Sequence, residues 1–254
     1  MTQQTYLEKA EHPIWSLTDP DEKKVVQLVS GGMDSVTLLY DFDAHGFDVV
    51  AVVMDYGQTH SAEVGCALYH TVRLGIKTIK LDMRNIFSHL GGCLVEGNKL
   101  PIPGAVHRED EKESRIVANR NMIFLAVAGG IAHTQGVQYV SFAGTMADAE
   151  YPDCLPEFVT RLSHAMQFAI GVQVVTPYDE MDKSDVVLRA HDLKQHGLDL
   201  SMTHTCFHSD HDHPFRHCGI CSSCGDRIRA FVSAGITDPT DYQDRSYLHE
   251  CNNG

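Results

Sequence analysis

Val-Val-Gln-Leu-Val-Ser-Gly-Gly-Met-Asp-Ser-Val-Thr-Leu-Leu-Tyr, residues 25–40, is the stretch on which the reading of this chain turns. Val25 to Val29 is the unbroken β-branched and aliphatic run expected of a strand buried on both faces of a parallel sheet. It leads directly into Ser30-Gly31-Gly32-Met33-Asp34-Ser35, and an apolar helical pattern follows at Val36, Leu39 and Tyr40. A strand, a glycine turn and a helix start together offer backbone N–H groups and the positive end of a helix dipole to an anion. Glycines at 31 and 32 let that backbone come close to a phosphate, and the flanking serines add hydroxyl donors.

No lysine follows the glycines, so this is not the mononucleotide loop ending in Gly-Lys-Ser/Thr. A third glycine is missing, so it is not a dinucleotide fingerprint. Ser-Gly-Gly-x-Asp-Ser instead resembles the pyrophosphate loop of the ATP pyrophosphatases that make adenylates. That resemblance implies an ATP site built from Leu28, Val29, Ser30, Gly31, Gly32, Met33, Asp34, Ser35 and Val36, with Met54 beside the adenine. Asp34 and Ser35 are the expected catalytic members of the loop, and Asp34 is expected to help hold Mg²⁺.

A second strand–helix pair follows the first. Phe47 to Met54 reads as a strand running into Asp55-Tyr56-Gly57-Gln58-Thr59-His60, and Ala62 to Leu74 as a helix stopped by Gly75. Thr78 to Leu81 is a third strand, Gln138 to Phe142 a fourth and Val172 to Val175 a fifth. Helices are expected over Arg120 to Thr134, Glu157 to Ile170 and Met181 to His196. This alternation predicts an α/β fold, a Rossmann-like doubly wound parallel sheet. Ligands of such sheets bind at the carboxyl ends of strands, so Ser30 to Ser35 and Asp55 to His60 should share one crevice. The expected division is an N-terminal extension over 1–24, an ATP-binding domain over 25–200 and a zinc-binding segment with a tail over 201–254. The extension is polar, anchored by Trp15, and residues 88–116 read as a loop or lid.

Charge and composition narrow the partners. The 254 residues carry a formal net charge of −14, and no basic run offers a grip on phosphates, which opposes a nucleic-acid substrate. Residues 1–17 lack an apolar core with basic flanks, so no secretory signal is expected. The longest apolar run, Met122 to His133, falls short of the roughly 20 residues that cross a bilayer. A cytoplasmic protein acting on a small molecule, with no membrane partner, is the expectation.

Of eight cysteines, four cluster as Cys206-x11-Cys218-x2-Cys221-x2-Cys224. Four soft thiolates with no open position describe a structural Zn²⁺ site. The rival is an iron–sulfur cluster, but the Cys-Pro of the ferredoxin pattern is missing and the fourth cysteine lies upstream. His208, His211, His213 and His217, between the ligands, read as solvent-exposed loop residues.

With the loop, Asp55-Tyr56-Gly57-Gln58-x-His60-x-x-Glu63, Tyr151-Pro152-Asp153-Cys154, Thr176-Pro177 and the cysteine cluster in the same order, the chain resembles the QueC, or 7-cyano-7-deazaguanine synthase, family. The resemblance runs from about Val25 to Phe231. It implies an ATP-dependent ligase, usually a homodimer carrying zinc, that activates 7-carboxy-7-deazaguanine, adds ammonia and dehydrates the amide to the nitrile. It implies Arg120 and Lys183 as cations for developing phosphate charge. Tyr56, Gln58, His60, Asn121, Tyr151 and Asp153 are its candidates for recognising the base and handling ammonia. Departures from the pattern fall on the acceptor side. Ala118-Asn119 replaces Pro-Gly ahead of Arg120-Asn121, Thr145 to Glu150 differs from the family's stretch, and Leu155 stands where arginine is usual. QueC-like proteins of anti-phage operons suggest a second reading, in which the activated deazaguanine is left as the amide or joined to a protein or nucleic acid. From other classes, an iron–sulfur tRNA sulfur transferase and a non-catalytic nucleotide-sensing scaffold compete.

Overall fold

A computed structural model describes residues 9, 11–59, 61–90, 92, 95, 104, 116–208, 213 and 215–247. His60, His211, the first part of the N-terminal extension and most of the expected 88–116 lid lie outside the described residues.

Five strands form one parallel sheet in the order β3-β2-β1-β4-β5: β1 (Lys24–Leu28), β2 (Asp48–Asp55), β3 (Lys77–Asp82), β4 (Tyr139–Ser141) and β5 (Gln173–Val175). Val25 pairs with Val49 on one side and with Tyr139 on the other, so β1 is the central strand. The uninterrupted apolar runs have a simple cause. Alternate side chains go to opposite faces, and helices cover both. Val26, Val50, Val52 and Met54 pack with α4 (Arg120–Thr134) and α5 (Pro156–Ile170) through Leu125, Ala128 and Val159. Val25, Val49, Ala51 and Val53 pack with α1 (Met33–Ala44) and α2 (Ala62–Arg73) through Leu38, Leu39 and Ala67. A short α3 (Arg84–Phe87) follows β3.

The expected helix over Met181 to His196 is α6 (Lys183–Asp192) followed by a 3-10 turn, Leu193–His196. Asp182 sets its start, its carboxylate accepting from the Ser184 and Asp185 amides in a capping box. Gly197, with a φ of +87°, ends the 3-10 turn. The last helix, α7 (Ser222–Ala234), is no loose appendage. Its Ala230 and Phe231 share a core cluster with Met33, Val36 and Tyr40 of α1 and Val187 of α6.

The described part of the N-terminal extension is also tied down. Ile14 is buried, and Trp15 stacks on His45 with 4.5 Å between centroids. Lys9 reaches Asp185 at 2.7 Å. No described helix is long and apolar enough to cross a membrane.

Candidate active site

The strand order reverses beside β1, and a cleft of about 570 Å³ opens there over the strand ends. Loops after β1, β2 and β4 all reach it, so the two segments expected to share a crevice do so. Leu28, Val29 and Met54 form its apolar floor.

The glycine loop is arranged by its own serines. The Ser35 hydroxyl accepts from the Ser30 amide at 3.2 Å and the Gly31 amide at 3.3 Å, and donates to the Gly32 carbonyl at 3.2 Å. The Gly32 amide donates to Ser30 Oγ at 3.2 Å. The amides of residues 30–32 are therefore not the free donors expected of them. The donors left for an anion are those of Met33, Asp34 and Ser35 in the first turn of α1. That helix has no side-chain cap, and its first internal bond runs from Val36 to Gly32. Gly31, at φ +97°, presses against α2: a Cβ there would lie 2.0 Å from the Glu63 carbonyl oxygen. The Gly31 carbonyl in turn accepts from the His204 amide at 3.0 Å, tying the loop to the C-terminal segment.

Above the loop, Lys183 donates to Asp34 Oδ2 at 2.5 Å and lies 3.3 Å from Asp148 Oδ2. Burial works against the ammonium, but the two carboxylates outweigh it and hold Lys183 charged. Burial pushes the Asp34 carboxyl up. Two contacts fix Lys183 in place. The Asp182 cap sets the first turn of α6, and Arg189 lower on α6 forks onto buried Asp41 of α1, donating from Nε at 2.9 Å and from Nη2 to the second oxygen. Asp148 is fixed by Thr145, whose amide and hydroxyl both donate to it at 3.0 and 2.7 Å. Nothing in the sequence reading selected Asp148. Its signal was the Thr-x-x-Asp capping-box spacing inside the stretch that departs from the family pattern.

Arg120 and Asn121 open α4 on the facing wall. Burial disfavours the Arg120 charge, yet Tyr56 and Asp153 beside it raise its pKa further. Tyr56 packs against Phe87 and Phe124 with centroids 5.3 and 5.5 Å away. Asn121 and Asp153 hold each other: the Asn121 amide donates to Asp153 Oδ2 at 3.0 Å, and Asn121 Nδ2 lies 3.0 Å from Cys154 Sγ. Gln58 folds back on its own turn, accepting from the Tyr56 amide at 3.0 Å and donating to the Met54 carbonyl at 3.4 Å. Of the expected recognition residues, Tyr56, Gln58, Asn121 and Tyr151 line the cleft. Asp153 braces its wall from behind. The Cys154 thiol is pushed up to about 12 by burial and by Asp148 and Asp153, which leaves it protonated and unreactive at neutral pH.

Asn119, immediately before α4, has a φ of +56°. Only glycine, asparagine and aspartate visit this left-handed region readily, which accounts for asparagine where the resembled family has glycine. Asn119→Val is expected to lower stability by about 1–2 kcal/mol, read from the urea midpoint, and Asn119→Gly to leave it nearly unchanged.

The C-terminal segment supplies part of the cleft wall through Thr205, Phe207, Ser223, Asp226 and Arg227. Arg227 is buried, donating to Thr203 Oγ1, Thr240 Oγ1 and the Leu200 carbonyl at 2.7–2.9 Å. It sits three residues after Cys224, one turn along a helix held at that cysteine.

The four cysteines converge. Sγ separations are 3.9 Å for Cys206–Cys221, 3.9 Å for Cys218–Cys224 and 3.4 Å for Cys221–Cys224. The amides of His208 and Cys218 donate to Cys206 Sγ at 3.3 Å, and that of Ile220 to Cys218 Sγ at 3.4 Å, bonds that favour thiolate sulfur. A His208 ring nitrogen also lies within 4.8 Å of the Cys206, Cys218 and Cys221 sulfurs, giving a fifth donor. His217 corrects the expectation of an exposed loop histidine. It is buried, stacks on His204 at 4.8 Å and accepts from the Thr205 amide at 3.0 Å, joining the two arms of the cysteine loop. His208 and His213 are exposed as expected.

The family described as "Queuosine biosynthesis protein QueC" matches residues 24–235. The chain is 36% identical to 7-cyano-7-deazaguanine synthase of Marinobacter nauticus over 224 residues, which is 86% of this chain and 97% of that protein. It is 35% identical to that of Chromohalobacter salexigens over 236 residues, 91% of each chain. Among solved structures it is similar to NMN synthetase from Francisella tularensis, with TM-score 0.49 and 14% identity, covering 100% of this chain and 92% of that one.

Proposed function

The chain belongs to the QueC family, and from that premise we propose how its cleft performs an ATP-dependent carbon–nitrogen ligation. The reaction is that of the 7-cyano-7-deazaguanine synthases it is related to: 7-carboxy-7-deazaguanine, ammonia and ATP give the nitrile. A carboxylate is a poor electrophile, so its oxygen attacks the α-phosphorus of ATP and pyrophosphate leaves. Ammonia then adds to the acyl carbon and AMP departs with the bonding pair, leaving the amide. Activation of the amide oxygen by a second ATP releases pyrophosphate, and loss of both N–H protons, with AMP departing with the C–O bonding pair, gives the nitrile.

One observation carries the assignment of residues. The first turn of α1 and the start of α4, helices on opposite faces of the sheet, meet at one cleft, which Lys183, Arg120, Asn121, Tyr56 and Tyr151 also line. The Met33, Asp34 and Ser35 amides and Lys183 hold the phosphates, and Leu28, Val29 and Met54 receive the adenine. Arg120 meets the carboxylate and the charge developing at the phosphorus, where a preorganised cation acts most strongly. The Tyr56 ring packs on the deazaguanine.

Asp34 Oδ1 is buried without a hydrogen-bond partner among the described residues. With Asp148 it makes a hard oxygen pair suited to Mg²⁺, which would neutralise the phosphates of ATP. The soft donors Cys206, Cys218, Cys221 and Cys224 suit a structural Zn²⁺. Cys221→Ser is expected to reduce zinc content and to lower the melting temperature by about 10 °C, since ligation and folding are coupled and ~3 kcal/mol is at stake. Full zinc occupancy with unchanged melting would remove Cys221 from the ligand set.

The function is tested by a mass-spectrometric product assay with Mg²⁺-ATP, ammonium and 7-carboxy-7-deazaguanine. AMP together with the nitrile is expected. ATP binding with no AMP formed would refute the reading.

A further inference from the structure

A second cavity, of about 120 Å³, lies behind the cleft and shares two walls with it, Gly144 and Cys154. It begins at the surface and ends in the interior. Asp179 and Met146 on its rim are exposed, whereas Thr145, Thr176 and Val159 along it are buried. Its volume suits a molecule of a few heavy atoms and excludes a nucleotide or a base. Gly144 and Cys154, whose thiol stays protonated, line both spaces, and the Phe142 ring of the cleft lies against Gly144, 3.0 Å from where a Cβ would stand.

Resting on the ligase reading above, we propose that this cavity is the ammonia entrance: Asp179 recruits ammonium at the rim, and neutral ammonia reaches the acyl carbon past Gly144 and Cys154. Two features of the reaction favour a separate route. ATP and the deazaguanine fill the cleft from its open side. Ammonia must also arrive without bulk water, which would hydrolyse the adenylate. The cavity meets each requirement, with a carboxylate outside, hydroxyls of Thr145 and Thr176 to hold an N–H donor, and apolar Val159 and Pro156 to disfavour the charged form. His12 and Glu180 neighbour Asp179, and burial lowers the His12 imidazole below its usual range. The ammonium proton goes to solvent at the rim. The nitrogen lone pair then forms the C–N bond, the acyl C–O bond to AMP breaks, and the amide nitrogen sheds a proton.

The experiment measures AMP formation against ammonium and against hydroxylamine, which is uncharged at neutral pH, alongside substrate-dependent ATP–pyrophosphate exchange, which needs no nitrogen nucleophile. Asp179→Asn is expected to raise the KM for ammonium about fivefold, the scale of one partly exposed ion contact, with exchange and hydroxylamine turnover unchanged. Met146→Trp, which plugs the rim, is expected to lower kcat/KM for both nucleophiles with exchange intact. An unchanged ammonium KM in Asp179→Asn, or equal losses against both nucleophiles in that variant, would overturn the proposal. Absence of exchange in the parent chain would instead strike the ligase reading itself, and this inference would fall with it.

Discussion

Lys183→Met is expected to slow AMP formation by about 10²- to 10³-fold while the protein stays folded, the scale seen when one preorganised charge is removed from a developing anion. Among the described residues, Lys183 is the cation set directly between Asp34 and Asp148. Without it the two carboxylates face the phosphates uncompensated, and the transition state, which carries the most negative charge, suffers more than ground-state ATP. The loss should therefore appear in kcat more than in the KM for ATP. Arg189 and Asp182 still hold α6, so the melting temperature should move little. A variant with full turnover would show that Lys183 is a structural counter-ion alone.

Gly31→Ala is expected to cost more than ~4 kcal/mol, an exceptional loss for one methyl group. The new Cβ would stand 2.0 Å from the Glu63 carbonyl oxygen and 2.8 Å from the Ala67 amide nitrogen, both backbone atoms of α2 that have no rotamer to escape by. The φ of +97° adds strain of its own. Gly32→Ala is the control. Its Cβ would meet only side-chain atoms at 3.4–3.6 Å, at an ordinary φ of −74°. Thermal unfolding of the two variants should separate them by about 10 °C or more. Equal melting would mean that the loop does not pack on α2 in this way.

The fold was readable because its signals are local. The Val25–Val29 run, the repeated strand–helix alternation and the helix over Arg120–Thr134 all reflect period and composition, and the helix matches residue for residue. Membership in the family was equally legible from ordered motifs. Division of labour within the site was not, because it depends on where hydrogen bonds go. The Gly31 and Gly32 amides are taken by serine hydroxyls five or fewer residues away, and Gln58 is taken by its own turn. His217 is buried because the cysteine loop folds over it. Asp148 and Arg227 come to the cleft through capping and packing between segments far apart in sequence, which no spacing rule reports. The cavity behind Gly144 has no sequence signature at all.

The central claim is that the loop opening α1 serves adenylation of a carboxylate. Its most direct test is turnover of 7-carboxy-7-deazaguanine labelled with heavy oxygen in the carboxylate, followed by mass analysis of the released nucleotide. The account predicts AMP carrying one heavy oxygen from the substrate in the first activation. Unlabelled AMP, or ADP in place of AMP, would contradict it.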